Sequence, residues 1–214
     1  MSDPGQNAVA RVGVIDYKGG NLRNALNALN MIGTPGRLVS GPSDFDGIER
    51  LLFPGVGAFG DSVAQLDRQD LRAPILDWLA SGRPFFGICI GYQVLFEGSE
   101  EFPGTRGLGF FSGEVVRFPG DDPSLKVPHM GWNRVRPRDP ADPVWAGLPR
   151  EPHLYFVHSY FPRPADPAII AAETGYGATT FASAVRSGAV FASQFHPERS
   201  QSAGLRILRN FLTA

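Results

Sequence analysis

A chain of 214 residues is long enough to bury a full core within one domain, and 43% hydrophobic with 19% charged residues is the make-up of a globular protein, neither disordered nor fibrous. Twenty basic against twenty-one acidic side chains leave a formal net charge of −1, which removes the global electrostatic case for nucleic acid, and no apolar run approaches the roughly 18 residues that span a bilayer. One cysteine in the whole chain excludes an internal disulfide framework and fits a reducing, cytoplasmic setting.

The opening stretch MSDPGQNAVA has no basic region followed by an apolar one, so residues 1–10 read as a short flexible tail ahead of a single domain over 11–214. VGVID (12–16) is a short apolar run, and after Gly19 and Gly20 the leucines at 22, 26 and 29 recur at helical spacing to about Met31. Strand, glycine turn, helix is the unit, and it repeats. RLLF (50–53) leads into PGVGAFG and two amphipathic stretches, DSVAQL and DLRAPILDWLA; PFFGI (84–88) leads into Cys89 and IGYQVLF. Alternating apolar strands and helices predict an α/β fold: a central, mostly parallel sheet covered by helices on both faces. Beyond about Gly104 the runs shorten and Gly and Pro punctuate them: GEVVRF, LKVPHMGWNRV, HLYFVHSYF, AIIAAE, TTFASAV and AVFASQF. These predict additional antiparallel strands in the C-terminal half, added to that sheet or packed across it, before a closing helix from Ser202 to Phe211.

Three segments carry candidate chemistry. In G-I-C-I-G (87–91) a lone Cys sits between glycines at a strand-to-helix junction, a place where a nucleophile stands clear of the sheet edge and the following helix favours a thiolate. On residue type alone, a lone Cys reads equally as a small buried hydrophobe. In F-H-P-E (195–198), Pro197 disfavours helical geometry at His196; on an extended segment His196 and Glu198 face the same way, so the carboxylate can orient the imidazole. Alone, the pair also reads as exposed loop residues. F-P-G-V-G (53–57) is a glycine turn at a strand end, either an ordinary loop or a source of backbone N–H groups for an oxyanion. Neither a cysteine cluster nor an HExxH spacing is present, so no metal and no cofactor is expected.

Taken together and in this order, P-G-x-G, G-x-C-x-G-x-Q and H-P-E resemble the class I, or triad, glutamine amidotransferases, over about Ile15 to Phe211. That resemblance implies a flavodoxin-like fold and glutamine hydrolysis through a thioester on Cys89. His196 would serve as general base and acid and Glu198 as its orienter. Gly57 and the Ile90 N–H would form the oxyanion hole, with Gly55, Gln93, Ser159 and Tyr160 against the substrate L-glutamine. Within the class, D-Y-K-G-G-N-L (16–22), P-H-M-G-W-N (128–133), Y-F-V-H-S-Y (155–160) and F-H-P-E-R-S (195–200) are similar to segments of the glutaminase subunits of imidazole glycerol phosphate synthases, enzymes of histidine biosynthesis. Ile90 and Tyr92 depart from the more usual Leu and Met, and Arg199 from Lys. This closer likeness implies a heterodimer with a (β/α)₈-barrel cyclase subunit that receives ammonia, with Asn21, Met130, Trp132 and Arg199 toward the interface.

Overall fold

The computed structural model describes residues 11–19, 22–120 and 125–213. The predicted tail over 1–10 lies outside them, as does Asn21. In chain order the elements are β1 (Val12–Ile15), α1 (Leu22–Met31), β2 (Gly36–Val39), β3 (Arg50–Phe53), α2 (Phe59–Arg68), α3 (Arg72–Ala80), β4 (Phe85–Ile88) and α4 (Ile90–Gln93). There follow β5 (Gly98–Ser99), β6 (Gly113–Arg117), β7 (His129–Arg134), β8 (Arg136–Pro137), β9 (His153–His158), β10 (Tyr160–Pro164), β11 (Ile170–Tyr176), β12 (Thr179–Ser187), β13 (Val190–Ser193) and α5 (Gln201–Thr213).

An eight-stranded sheet runs β2-β1-β3-β4-β13-β12-β11-β8. Its first five strands are parallel, and β12, β11 and β8 continue it antiparallel. Both faces are covered, and the period of two in the strands divides the core accordingly. Val14, Leu52, Phe86 and Phe191 pack with Leu29 of α1 and Leu208 and Phe211 of α5. Ile15, Leu51, Phe53 and Phe85 pack on the other side with Val63 and Leu66 of α2 and Ile75 and Trp78 of α3. The shorter strands of the C-terminal half do both things expected of them: β11 to β13 extend the sheet, while β10-β6-β5 and β7-β9 form two small sheets beside it.

Two expectations change. Gly36–Val39 was not among the predicted strands because its GRLV is an edge with Arg37 and Leu38 exposed, so no continuous apolar run marks it. The helix expected over IGYQVLF is a single turn: the Val94 and Leu95 carbonyls accept from the Leu108 and Phe111 N–H groups at 2.7 and 3.0 Å, which ends helical bonding. A single turn sums few peptide dipoles, so the macrodipole is a weaker source of thiolate stabilisation than a full helix would supply.

Because β3, β4 and β13 are neighbours in the sheet, the three segments singled out in the sequence lie side by side past their carboxyl ends. That edge, next to the point where strand order reverses between β1 and β3, is where open α/β sheets bind ligands.

Candidate active site

Cys89 follows β4 with φ 54° and ψ −102°, a strained backbone for a residue with a Cβ, and its N–H is held by the Ser193 carbonyl at 2.7 Å. The turn closes this tightly because its neighbour is glycine: a Cβ at Gly91 would lie 1.9 Å from the Phe53 carbonyl oxygen. The elbow is thus pinned to β13 on one side and pressed on β3 on the other.

His196 is fully buried, and its Nδ1 lies 2.7 Å from Glu198 Oε1. The pairing arises differently from the extended arrangement expected. His196 is extended at φ −101°, but Pro197–Arg199 then winds into one 3₁₀ turn, which brings the carboxylate back under the ring. Proline supplies the first residue of that turn as well as restricting the one before it. The His196 N–H donates to the Tyr155 carbonyl at 2.9 Å and Ser200 Oγ donates to the His196 carbonyl at 2.6 Å, so the imidazole is fixed from both sides. Its Nε2 has no hydrogen-bond partner among the described residues, nor does Glu198 Oε2. Burial alone would lower the basicity of this histidine; the charge of the neighbouring Cys89, and then the hydrogen bond and charge of Glu198, outweigh it and hold His196 above its ordinary value. A buried imidazole with one nitrogen on a carboxylate and the other unengaged is built to take up and return a proton at a neighbouring thiol.

Beside Cys89 lies a cavity of about 400 Å³, with Gly57, Gln93, Ser159, Tyr160 and Arg199 also on its wall. Gly55, expected against the substrate, is not on that wall: its carbonyl faces the Ile90 N–H at 3.5 Å, so one expected oxyanion donor is already engaged by this long contact. The Val56 carbonyl accepts from the Tyr17 hydroxyl at 3.0 Å. Burial pushes that hydroxyl well above its ordinary pKa and keeps it a donor. Gly57 has φ 137°, open to glycine and rarely to other residues.

Met130 and Trp132 on β7 are 62% and 46% exposed, which places the tryptophan outside the core. Arg199 is exposed, with its guanidinium 4.2 Å above the Tyr155 ring, and Tyr155 in turn meets Trp132 edge-on. Of the three described residues expected at an interface, Arg199 is on the cavity wall, Met130 pairs across the ribbon with the wall residue Val157, and Trp132 connects to Arg199 through Tyr155.

Three residues at the site were not singled out from the sequence. Glu101 lines the cavity and accepts the Phe59 N–H at the start of α2 at 2.8 Å; in E-E-F it reads as a solvated charge. Tyr17 holds the glycine turn. Gln194 is fully buried and donates through Nε2 to Cys89 Sγ at 3.6 Å. Its signal was a polar side chain at the end of the apolar run AVFASQ, since a buried amide must find partners.

Among proteins of known sequence, the family described as glutamine amidotransferase class-I matches residues 14–214. The chain is 50% identical over 213 residues to the imidazole glycerol phosphate synthase subunit HisH of Methylococcus capsulatus, covering 95% of this chain and 96% of that one. With the subunit of the same name from Rhodopirellula baltica it shares 47% identity over 203 residues, 94% and 96% of the two chains. In fold it is similar to a solved glutamine amidotransferase (TM-score 0.73, 22% identity, 94% and 97% covered) and to PurLQS from Thermotoga maritima (0.74, 21%, 95% and 98%).

Proposed function

The chain belongs to the class I glutamine amidotransferases, and from that membership we propose that it is the glutaminase subunit of an imidazole glycerol phosphate synthase, releasing ammonia from L-glutamine for histidine biosynthesis. The observation that carries the chemistry is the buried His196, paired to Glu198 through one nitrogen and unengaged at the other beside Cys89.

The γ-carboxamide of glutamine enters the cavity over Cys89. The thiolate attacks its carbon, and the resulting tetrahedral oxyanion needs donors. His196, protonated, gives its proton to the leaving amine; the C–N bond breaks, ammonia departs and a thioester on Cys89 remains. Water then loses a proton to His196 as its oxygen attacks the thioester, the C–S bond breaks, and glutamate and the thiolate are restored with His196 again protonated. Glu198 keeps the imidazole oriented and balances its charge throughout. Gln93, Ser159 and Tyr160 would position the amino-acid end of the substrate. Glu101, the carboxylate on the same wall, is a suitable partner for its ammonium group.

Ile90 and Gly57 serve as oxyanion donors in this reading. Since the Gly55 carbonyl occupies the Ile90 N–H, the hole opens only when a peptide in 55–57 rotates, a movement that the conformational freedom of Gly57 permits. Ammonia passes to a cyclase subunit with a (β/α)₈ barrel, which makes imidazole glycerol phosphate and aminoimidazole carboxamide ribotide. Met130, Trp132 and Arg199 face that partner, and residues 11–214 act as the one domain. A sealed path is needed, because ammonia released to water at neutral pH becomes mostly protonated and lost. The test is mass spectrometry after exposure to a diazo-ketone analogue of glutamine: added mass on the Cys89 peptide is expected, and an unmodified Cys89 under conditions that fully modify a control amidotransferase would refute the assignment.

A further inference from the structure

Tyr160 offers a backbone carbonyl, which can only accept, and two side chains converge on it: Gln93 Nε2 at 3.0 Å and His158 Nδ1 at 2.8 Å. That single fact sets the direction of every bond in two chains of partners. Gln93 must present its nitrogen to Tyr160, and the same nitrogen lies 3.1 Å from Gln194 Oε1, so Gln194 accepts there. Its other end is then the amide nitrogen, which points at Cys89 Sγ.

On the other arm, His158 must carry its proton on Nδ1. Neutral, it accepts at Nε2 from His129 Nδ1, 3.0 Å away; His129 then accepts at Nε2 from Asn133 Nδ2 at 3.2 Å. Burial pushes His158 down to about 3 and His129 to about 4, in keeping with two neutral rings. Asn133 is anchored by donating to the Gly175 carbonyl at 2.9 Å. No amide or ring in the series can turn over without leaving a buried polar group unpaired.

We propose that Gln194 holds the Cys89 sulfur in its ionised form by donating to it, and that Gln93, the Tyr160 carbonyl, His158 and His129 are positioning groups that fix which end of the Gln194 amide faces the sulfur. A hydrogen bond from a neutral amide to a buried anion strengthens as the anion forms, so it favours thiolate over thiol. It also leaves His196 Nε2 unencumbered for the leaving group. The inference rests on Cys89 being the nucleophile, and it assigns to Gln194 a part that the single-turn α4 fills only weakly. The other titratable groups acting on the sulfur are His196, backed by Glu198, and Tyr17.

The experiment follows alkylation of Cys89 by iodoacetamide against pH in the full chain. In Gln194→Leu the half-maximal pH should rise by about one unit, with about tenfold slower labelling at neutral pH. In Gln194→Glu, where a carboxylate would face the sulfur, it should rise further. Unchanged midpoints in folded variants would overturn the proposal. If neither variant folds, the protein with its native Gln194 decides: by ¹⁵N NMR, the Gln194 side-chain amide should shift with the same midpoint as alkylation, and an amide insensitive to Cys89 ionisation would overturn it. Failure of the glutaminase reading itself looks different, since the glutamine analogue would then leave Cys89 unmodified in the native protein while the iodoacetamide midpoints still move.

Discussion

Cys89 is the only thiol in the chain, so Cys89→Ala removes the only group able to carry the acyl intermediate. With the cyclase partner present, glutamine-dependent product formation should fall at least about a thousandfold. Synthesis from a high concentration of ammonium salt at alkaline pH should persist, because in the proposed division of labour the partner needs only ammonia. Product assays with both nitrogen sources check this, and retained glutamine-dependent activity would void the nucleophile assignment. In the proposed mechanism the ring moves the proton and the carboxylate orients it, so His196 and Glu198 should differ in weight. Glu198→Gln is expected to retain roughly ten- to a hundredfold more glutaminase activity than His196→Ala in steady-state assays; equal losses would contradict those roles. These three residues were legible because each sits in a short segment with an unusual local demand, glycines around a cysteine or proline after a histidine. Gln194, Glu101 and Tyr17 were not, because what each does depends on groups between 39 and 105 positions away in the chain.

At the scale of elements, β7 and β9 pair as a separate two-stranded ribbon, and the His129–His158 contact joins them across its buried side. Both histidines sit below the 6.5 of a free imidazole, at about 4 and about 3. Unfolded, they take up protons that the native ribbon refuses, so their contribution is intact above pH 6.5 and is lost as pH falls toward 4. From pH 7 to pH 5 the loss is on the order of 2 kcal/mol per histidine. His196, shifted the opposite way, contributes stability that grows as pH falls from about 10 toward 6.5 and is complete below it, and it does so in wild type and in variants of the ribbon alike. Urea unfolding at pH 7 and pH 5 should therefore show a marked fall for wild type and a smaller one for His129→Gln/His158→Gln; identical falls would mean that the rings are charged in the native state. The ribbon was readable as strands from its aromatic runs, but the tautomer order inside it was not, because only the register of β7 on β9 sets these rings opposite each other. The one-turn α4 escaped for a similar reason, its carbonyls being claimed by a loop some 14 to 16 residues downstream.

The whole molecule brings P-G-V-G, Cys89 and H-P-E together through one fact of topology, the adjacency of β3, β4 and β13, although about 140 positions separate the first segment from the last. Alternating strands and helices announced a parallel sheet; the order of its strands is set by long-range packing and was not readable. With the Ile90 N–H covered by the Gly55 carbonyl, the isolated chain should hydrolyse glutamine slowly, and partner plus nucleotide ligand should raise the rate by about two to three orders of magnitude, the usual value of one oxyanion donor. Turnover at saturating glutamine, measured for the chain alone and for the liganded complex, checks this. Equal rates would mean that the turn is already competent.

That covered N–H has a bearing on cell economy. A subunit whose resting turn is shut can be synthesised in surplus over its partner without draining the glutamine pool, so the expression of the two chains need not be matched. Raising the copy number of this chain alone should leave intracellular glutamine unchanged, whereas co-expression with the partner under nucleotide supply should draw it down.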